Sequence, residues 1–206
     1  MSYFDKTHIC NRALDLVGKD GYTDFETSTA STALLVMRNW PFVVLRCLRR
    51  AQWPWAISRV TLSPSVTVPE NEFNAAFTLP ADVAKIIKIF PSGIMYKREG
   101  RYILCDESEI TIKYVSDGAV EDPSVVDAAF AELLAHELAV SVSYKLTDSV
   151  SLRGELKKEA EARFREATAL FSQEDEDDPM EESPWVTSRF LSDYEEGSIR
   201  IEGLET

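Results

Sequence analysis

The 206-residue sequence predicts an α+β fold: a helical bundle from both chain ends, a central antiparallel β insertion and an extended acidic C-terminal tail. Three observations predict it. Apolar residues recur at three- and four-residue spacing as far as Arg50, and again from about Asp122 to Gln173. Between Ile57 and Val115, short runs of β-branched and aromatic residues alternate with turn residues. No stretch of crossover length separates these runs, which argues against a doubly wound parallel sheet. After Gln173 comes a like-charge block, Glu174-Asp175-Glu176-Asp177-Asp178-Pro179, solvated and self-repelling. The expected segments are 1–56 (first part of the bundle), 57–116 (β insertion), 117–173 (helical hairpin, second part of the bundle) and 174–206 (acidic and aromatic tail).

The first helix is expected over Phe4–Val17, with Ile9, Ala13, Leu14 and Val17 on one face and Gly18 as its stop. A polar loop, Lys19–Ser28, leads to a second helical stretch from Thr29 to Arg50. Pro41 lies inside it, lacking a donor and crowding the preceding turn, so a kink or a break into two pieces is expected near Trp40. Six strands follow: Ile57–Leu62, Phe73–Leu79, Ala84–Phe90, Ile94–Tyr96, Tyr102–Cys105 and Ile110–Val115. Their separators are turn sequences such as Ser63-Pro64, Pro69-Glu70-Asn71, Pro80-Ala81-Asp82, Pro91-Ser92-Gly93 and Glu99-Gly100.

The third helix is expected to open with Asp122 as N-cap and Pro123 in the first helical position. Val126, Phe130, Leu133, Leu134, Leu138, Val142 and Leu146 form one face. Ala128, Ala131, Ala135 and Ala139 form a second stripe that lets another helix approach closely. Thr147-Asp148-Ser149 turns the chain into a fourth helix, whose apolar stripe is Leu152, Leu156, Ala160, Phe164, Ala167 and Phe171. Glu159 with Arg163 and Glu161 with Arg165 stand at ion-pairing distance along its wet side.

Composition is that of a globular protein, 45% hydrophobic and 10% aromatic, which is enough for a real core. No run approaches the roughly 20 apolar residues of a membrane span, and the charged N-terminus is unlike a signal peptide. The product is therefore expected to stay in the cell that makes it. Three scattered cysteines, Cys10, Cys47 and Cys105, suit a reducing compartment and read as small buried hydrophobes. The net charge of −13 is uneven. Residues 1–60 carry 8 basic and 5 acidic side chains (net +3), residues 61–170 carry 12 and 18 (net −6), and residues 171–206 carry 2 and 12 (net −10). Such a balance argues against general phosphate binding.

A search for chemistry finds little. Two histidines, His8 and His136, cannot build a multi-histidine metal centre. His136-Glu137 begins like a zincin motif, but Val140 stands where the second ligand belongs. His136 therefore reads as a hydrogen-bonded structural residue. There is no glycine-rich phosphate loop and no cysteine pair at ligand spacing. No catalytic residue, cofactor or metal is assigned.

Three features remain. Arg46, Arg49 and Arg50, with Arg38 before them, read either as a grip on an acidic partner or neighbouring subunit, or as a solvated helix end complementing the macrodipole. Trp53-Pro54-Trp55-Ala56 reads as a rigid apolar corner docking that helix end onto the first strand. Pro184, Trp185 and Phe190 follow an acidic tether and read as anchors of a binding peptide.

Several stretches, taken in order, resemble the tail tubular protein A, or adaptor, family of T7-like short-tailed bacteriophages. Asn11-x-x-Leu14-x-x-x-Gly18 is similar to that family's opening helix and its glycine stop. Leu45-Arg46 followed by Trp53-Pro54-Trp55-Ala56 resembles its helix end and strand entry. Phe77-Thr78-Leu79-Pro80-Ala81-Asp82-Val83, with Ile86 after it, looks like its LPxD segment. Ile112-Lys113-Tyr114-Val115 and Phe130…Leu133-Leu134…Leu138-Ala139…Tyr144-Lys145-Leu146-Thr147 resemble its last strand and long helix. The resemblance covers roughly residues 8–170. Trp40-Pro41-Phe42 and the acidic run 174–178 depart from the pattern.

The resemblance implies a structural, non-enzymatic virion protein, made in the host cytoplasm. It would form a twelve-subunit ring that joins the portal protein to the tail nozzle (tubular protein B), with the tail fibre as a further candidate partner. Genomic DNA would pass through its channel without sequence-specific binding, and no membrane is involved. Pro184, Trp185, Phe190, Arg46, Arg49 and Arg50 are the residues proposed for the portal or subunit interface. An acidic wall would repel phosphate and let the duplex slide. The two stripes of the third helix would serve two neighbouring subunits. The competing readings are a virion-associated peptidoglycan hydrolase, motivated by the many carboxylates, and a DNA-packaging or DNA-binding factor, motivated by the arginines.

Overall fold

The computed structural model describes residues 4–65 and 72–172. The turn at Pro69-Glu70-Asn71 and the expected tail, including Pro184, Trp185 and Phe190, lie outside the described residues. Among the described residues the fold is α+β, with four α-helices and two small antiparallel three-stranded sheets.

Helix α1 spans Lys6–Leu16, opened by the Asp5 carboxylate accepting from the His8 amide at 2.7 Å. Its end is set by Gly18 at φ +66°, where Gly18 N–H donates to the Asp15 carbonyl and Lys19 N–H to that of Leu14. This double closure needs a left-handed residue, which glycine supplies without a Cβ penalty. Asn11 then fastens the following loop: its side-chain amide donates to the Tyr22 carbonyl and its Oδ1 accepts from the Tyr22 N–H. A Cβ on Gly21 would sit 2.7 Å from Asn11 Oδ1, so the close approach also requires glycine there.

Helix α2 spans Ser31–Arg50 and runs unbroken through Pro41. The expected break into two pieces does not occur. Pro41 cannot donate to the Met37 carbonyl, but buried side chains hold the helix on both sides of that gap. Trp40 is buried and its Nε1 donates to the Val120 carbonyl at 2.7 Å, while Val43 and Val44 enter the same core. The Asn39 side chain also donates to the Leu35 carbonyl at 2.8 Å.

After a 3₁₀ turn at Pro54–Ala56 come β1 (Ile57–Leu62), β2 (Ala75–Thr78), β3 (Val83–Phe90), β4 (Lys97–Glu99), β5 (Tyr102–Cys105) and β6 (Ile110–Ser116). One sheet has the order β1-β6-β3 and the other β2-β5-β4. The first and last strands pair, Ile57 opposite Val115, so the chain leaves the helices and returns to them at adjacent points. Strand β6 shows the period of two: Ile110, Ile112 and Tyr114 face the second sheet, and Val115 faces the helices. Phe77, Leu79, Ile103 and Cys105 meet them, giving the two sheets a core of their own.

The expected strand Ile94–Tyr96 is not one. The paired residues are the next three, Lys97-Arg98-Glu99, all exposed on an edge. They form a hairpin with β5 around Gly100 at φ +55°, and the hairpin register decides the pairing over local β propensity. Ile94 packs instead onto the sheet core. A charged edge also discourages unwanted strand addition.

Asp122 and Pro123 open a single 3₁₀ turn, Pro123–Val125, rather than the long helix. Val126 is extended there, and α3 (Ala128–Thr147) starts from a second cap, Asp127, which accepts from the Phe130 amide at 2.7 Å. Asp148, left-handed at φ +52°, ends it, and Ser149 Oγ accepts from the Leu152 amide as α4 (Val150–Ser172) begins.

Both stripes of α3 are used inside the chain. Phe130, Leu133, Leu134 and Leu138 are buried, and so are Ala131, Ala135 and Ala139. Helices α1 and α2 pack directly on α3, and α4 adds Leu156, Ala160, Ala167 and Phe171 to the buried set. The small-residue stripe therefore serves neighbours within the fold, not neighbouring subunits, apart from exposed Ala128. Residues up to Phe171 pack as one unit.

Trp53 is fully buried where α2, α3 and α4 meet. Its ring makes edge contacts with Phe130 (4.6 Å), Phe164 (6.2 Å) and Phe171 (5.5 Å), and its Nε1 donates to the Cys47 carbonyl at 3.0 Å. Trp53→Ala should cost about 3–5 kcal/mol in urea denaturation, through cavity formation and an orphaned carbonyl. A loss below about 1 kcal/mol would show that the surrounding rings close over the gap and that this residue does not hold the helices together.

Candidate functional site

Helix α2 contains four arginines and no acidic residue. The fold divides them into two pairs. Arg46 and Arg50, one turn apart, reach the same carboxylate: Arg46 Nη2 donates to Glu137 Oε2 at 2.7 Å and Arg50 Nη1 to Glu137 Oε1 at 2.8 Å. Arg50 Nη2 also donates to Glu161 on α4 at 2.7 Å, and its guanidinium lies 3.7 Å from the centre of the Phe164 ring. Glu137 is only 9% exposed, in the middle of the buried face of α3. A carboxylate so placed is tolerable only when paired, and two guanidiniums supply its hydrogen bonds. The group thus ties α2, α3 and α4 together around Trp53.

Arg38 and Arg49 differ. Both are exposed, and neither has an ion pair among the described residues. The residues expected at an interface therefore fall into three sets: Arg46, itself half exposed, and Arg50 holding Glu137; Arg49 exposed with no ion pair among the described residues; and Pro184, Trp185 and Phe190 outside the described residues. The expected pairs along α4 are also replaced. Glu161 turns to Arg50, and Arg163 holds Glu166 at 2.7 Å rather than Glu159.

The clamp left one sequence signal that went unread. Glu137 lies among Leu133, Leu134, Ala135, Leu138 and Ala139, so a helical wheel already places it inward. An inward acid demands a cation, and two arginines one turn apart, Arg46 and Arg50, can each satisfy one of its oxygens.

Elsewhere the titratable groups are structural. His136 is buried, with Nδ1 2.9 Å from the Glu132 carbonyl, in keeping with its reading as a hydrogen-bonded helix residue. Asp82, in the Leu79-Pro80-Ala81-Asp82 stretch, accepts from Ser116 Oγ at 2.8 Å and from Tyr114 Oη at 3.2 Å, fastening the start of β3 to the end of β6. Burial, with Asp82 nearby, raises the Asp117 carboxyl above its ordinary value. All three thiols are buried, and burial pushes those of Cys10 and Cys47 up to about 12, so neither is a nucleophilic thiolate at neutral pH.

Two clefts open on the described surface. One, of about 280 Å³, is lined by Trp55, Ser58, Ser116, Gly118 and Asp122 among others and contains no histidine or cysteine base–nucleophile pair. The other, of about 180 Å³, lies between α1 and α3 and contains His8, Arg12 and Glu132. His8 is taken up by Asp5 at 2.8 Å and Glu132 by Arg12 at 2.8 Å. Among the described residues no three His, Cys, Asp or Glu side chains converge to hold a metal ion, and no helix is long and apolar enough to cross a membrane.

Exposed apolar side chains include Leu34 and Phe42 on α2, Met95, Tyr96 and Tyr102 around the outer hairpin, and Tyr144 and Val150 at the turn between α3 and α4, with Val125 and Leu170 standing apart. The first group stands beside Arg38 and Arg49, the two arginines of α2 without an ion pair among the described residues. No protein-family model matches the chain, and no curated protein matches it.

Two tests follow. Glu137→Ala leaves two guanidiniums without their shared carboxylate, and should lower stability by about 1–3 kcal/mol. In a double-mutant cycle with Arg50→Ala the coupling should reach at least about 0.5 kcal/mol; additive losses would mean the clamp contributes nothing as a unit. The second test uses pH. The hydrogen bond from Arg12 holds the Glu132 carboxyl below its ordinary value. A depressed carboxyl contributes stability above its unfolded pKa, about 4.3, and loses it as pH falls through the lower folded value. The stability gap between wild type and Arg12→Ala, read from urea midpoints, should therefore be full at neutral pH and shrink below about pH 4. A gap that is constant across that range would mean lost packing, not the ion pair.

Proposed function

We propose that the protein is a head–tail adaptor of a short-tailed bacteriophage, a structural ring component that joins the portal to the tail nozzle around the DNA exit channel. The observation that carries this reading is the order of the stretches between residues 8 and 170 that resemble the T7-like adaptor family. The side chains in those stretches hold the fold at its joints, which is why they would recur together. Asn11 and Gly18 close the first helix and its loop, Trp53 joins three helices, Asp82 ties β3 to β6, and Leu133, Leu134 and Leu138 lie in the core.

In this reading both chain ends contribute the helical layer, with the strands inserted between and the acidic tail beyond. A ring component needs surfaces for unlike neighbours on its two sides, since a head-to-tail contact repeats until the ring closes. The face of α2 and the outer hairpin, far apart in sequence, are two such surfaces. A formal charge of −13, of which residues 171–206 carry −10, suits a protein that phosphate must slide past rather than one that grips it. The role assigned is assembly, not catalysis.

The test is native mass, measured for the purified chain alone and with purified portal rings and nozzle protein. The adaptor reading expects a discrete complex with portal at a stoichiometry near twelve chains per ring. A monomer indifferent to both portal and nozzle would overturn it, and so would salt-dependent retention on DNA with no portal complex.

A further inference from the structure

The outward face of α2 has a composition that a solvated helix face does not need. Leu34 is 55% exposed and Phe42 69% exposed. Arg38 and Arg49 are exposed beside them, without ion pairs among the described residues. Positions 34, 38, 42 and 49 differ by four, four and seven, so they lie along one side of the helix. The stripe alternates apolar and cationic groups over about 22 Å, at 1.5 Å of rise per residue. No carboxylate on α2 balances it.

The chain's own sequence contains the complementary pattern. Five consecutive acids, Glu174 to Asp178, are followed by Pro184-Trp185-Val186 and then Phe190. Seven residue steps separate Asp178 from Trp185, reaching up to about 23 Å when extended. That length allows the acidic run to meet Arg49 while Trp185 reaches Phe42, about 10 Å along the helix, or Leu34 further on. Acids and an indole in the one segment thus have arginines and exposed apolar surface as counterparts on the other, within reach of the chain between them.

We infer that the segment 174–190 of one copy seats on the Leu34–Arg38–Phe42–Arg49 face of a second copy. The inference rests on the adaptor reading for its choice of a second copy: a tail on one face and its receptor on another make a head-to-tail contact, the kind that closes a ring. The carboxylates set orientation and salt sensitivity, and the aromatic anchors supply the buried centre of the contact.

The test titrates a fluorescent synthetic peptide of residues 173–192 into the full-length protein and reads anisotropy. Saturable binding is expected, weakened at least about tenfold by the Arg38→Glu/Arg49→Glu protein, by Trp185→Ala in the peptide, and by raising salt from about 50 to 300 mM. A peptide with the five acids replaced by lysine should bind the charge-reversed protein better than the original protein. Circular dichroism and the urea midpoint establish that each variant is folded, and neither arginine takes part in the internal clamp. No binding, or equal binding to both proteins, overturns the inference. Binding only to a chain ending at residue 172, with the full-length protein monomeric by native mass, would mean that each copy covers its own face, which overturns the second-copy assignment. The portal experiment is read separately. A portal complex without peptide binding removes this contact and leaves the adaptor reading, whereas peptide binding without any portal complex removes the adaptor reading and leaves the contact between copies.

Discussion

The fold depends on the enclosure of α3. A helix apolar around most of its circumference must be covered on several sides, because every exposed strip of it would forfeit about 25 cal/mol per Å². Here α1, α2 and α4 supply that cover, with Trp53 filling the place where three of the helices meet. The one acid on the enclosed side, Glu137, then imposes its own requirement. It needs two donors arriving together, and Arg46 and Arg50 satisfy it from one helix. An apolar α3 thus fixes where α2 lies, and the buried carboxylate fixes how α2 is rotated. That rotation decides which arginines remain on the outside.

The sheets follow from the same arrangement. Pairing of Ile57 with Val115 returns the chain to the helices beside its point of departure, so the strands can form a core of their own without disturbing α3. Tyr114 and Ser116 on β6 both donate to Asp82, more than thirty residues earlier and just before β3, which locks that return. The loops between strands are then free to differ in length with little effect on the helical core, since closure entropy grows slowly with length.

Much of this was legible before any coordinates. Gly18, Asp148 and Ser149 marked helix ends because local backbone chemistry decides them, and β1 and β5 matched their expected bounds residue for residue. Where the reading failed, a longer-range term had outweighed a local one. Pro41 suggested a kink or a break, and of these the break does not occur, because Trp40 and Val44 bury on either side of it and keep the helix whole. Ile94–Tyr96 has the stronger strand composition, but the hairpin register at Gly100 pairs Lys97–Glu99 instead. Asp122 is a genuine cap whose turn ends after Val125, because Asp127 offers a second cap and its helix docks on the core. The division of the strands into two sheets was not visible at all, since β1 with β6 is a pairing across more than fifty residues and leaves no local trace.

The arginines show why candidate sites are harder to read than folds. On the sequence, Arg46, Arg49 and Arg50 read as one cluster, because nothing local says which side of the helix meets Glu137. At about 100° per residue, Arg49 and Arg50 point a quarter-turn or more apart. That angle sends Arg50 inward to Glu137, Glu161 and the Phe164 ring, and leaves Arg49 in water beside Phe42. Truncating Arg50 would therefore be felt as lost stability, while changing Arg49 would be felt in what the surface can hold. An interface argument for α2 has to be made from Leu34, Arg38, Phe42 and Arg49, because the other two arginines are already spent on holding the helices together.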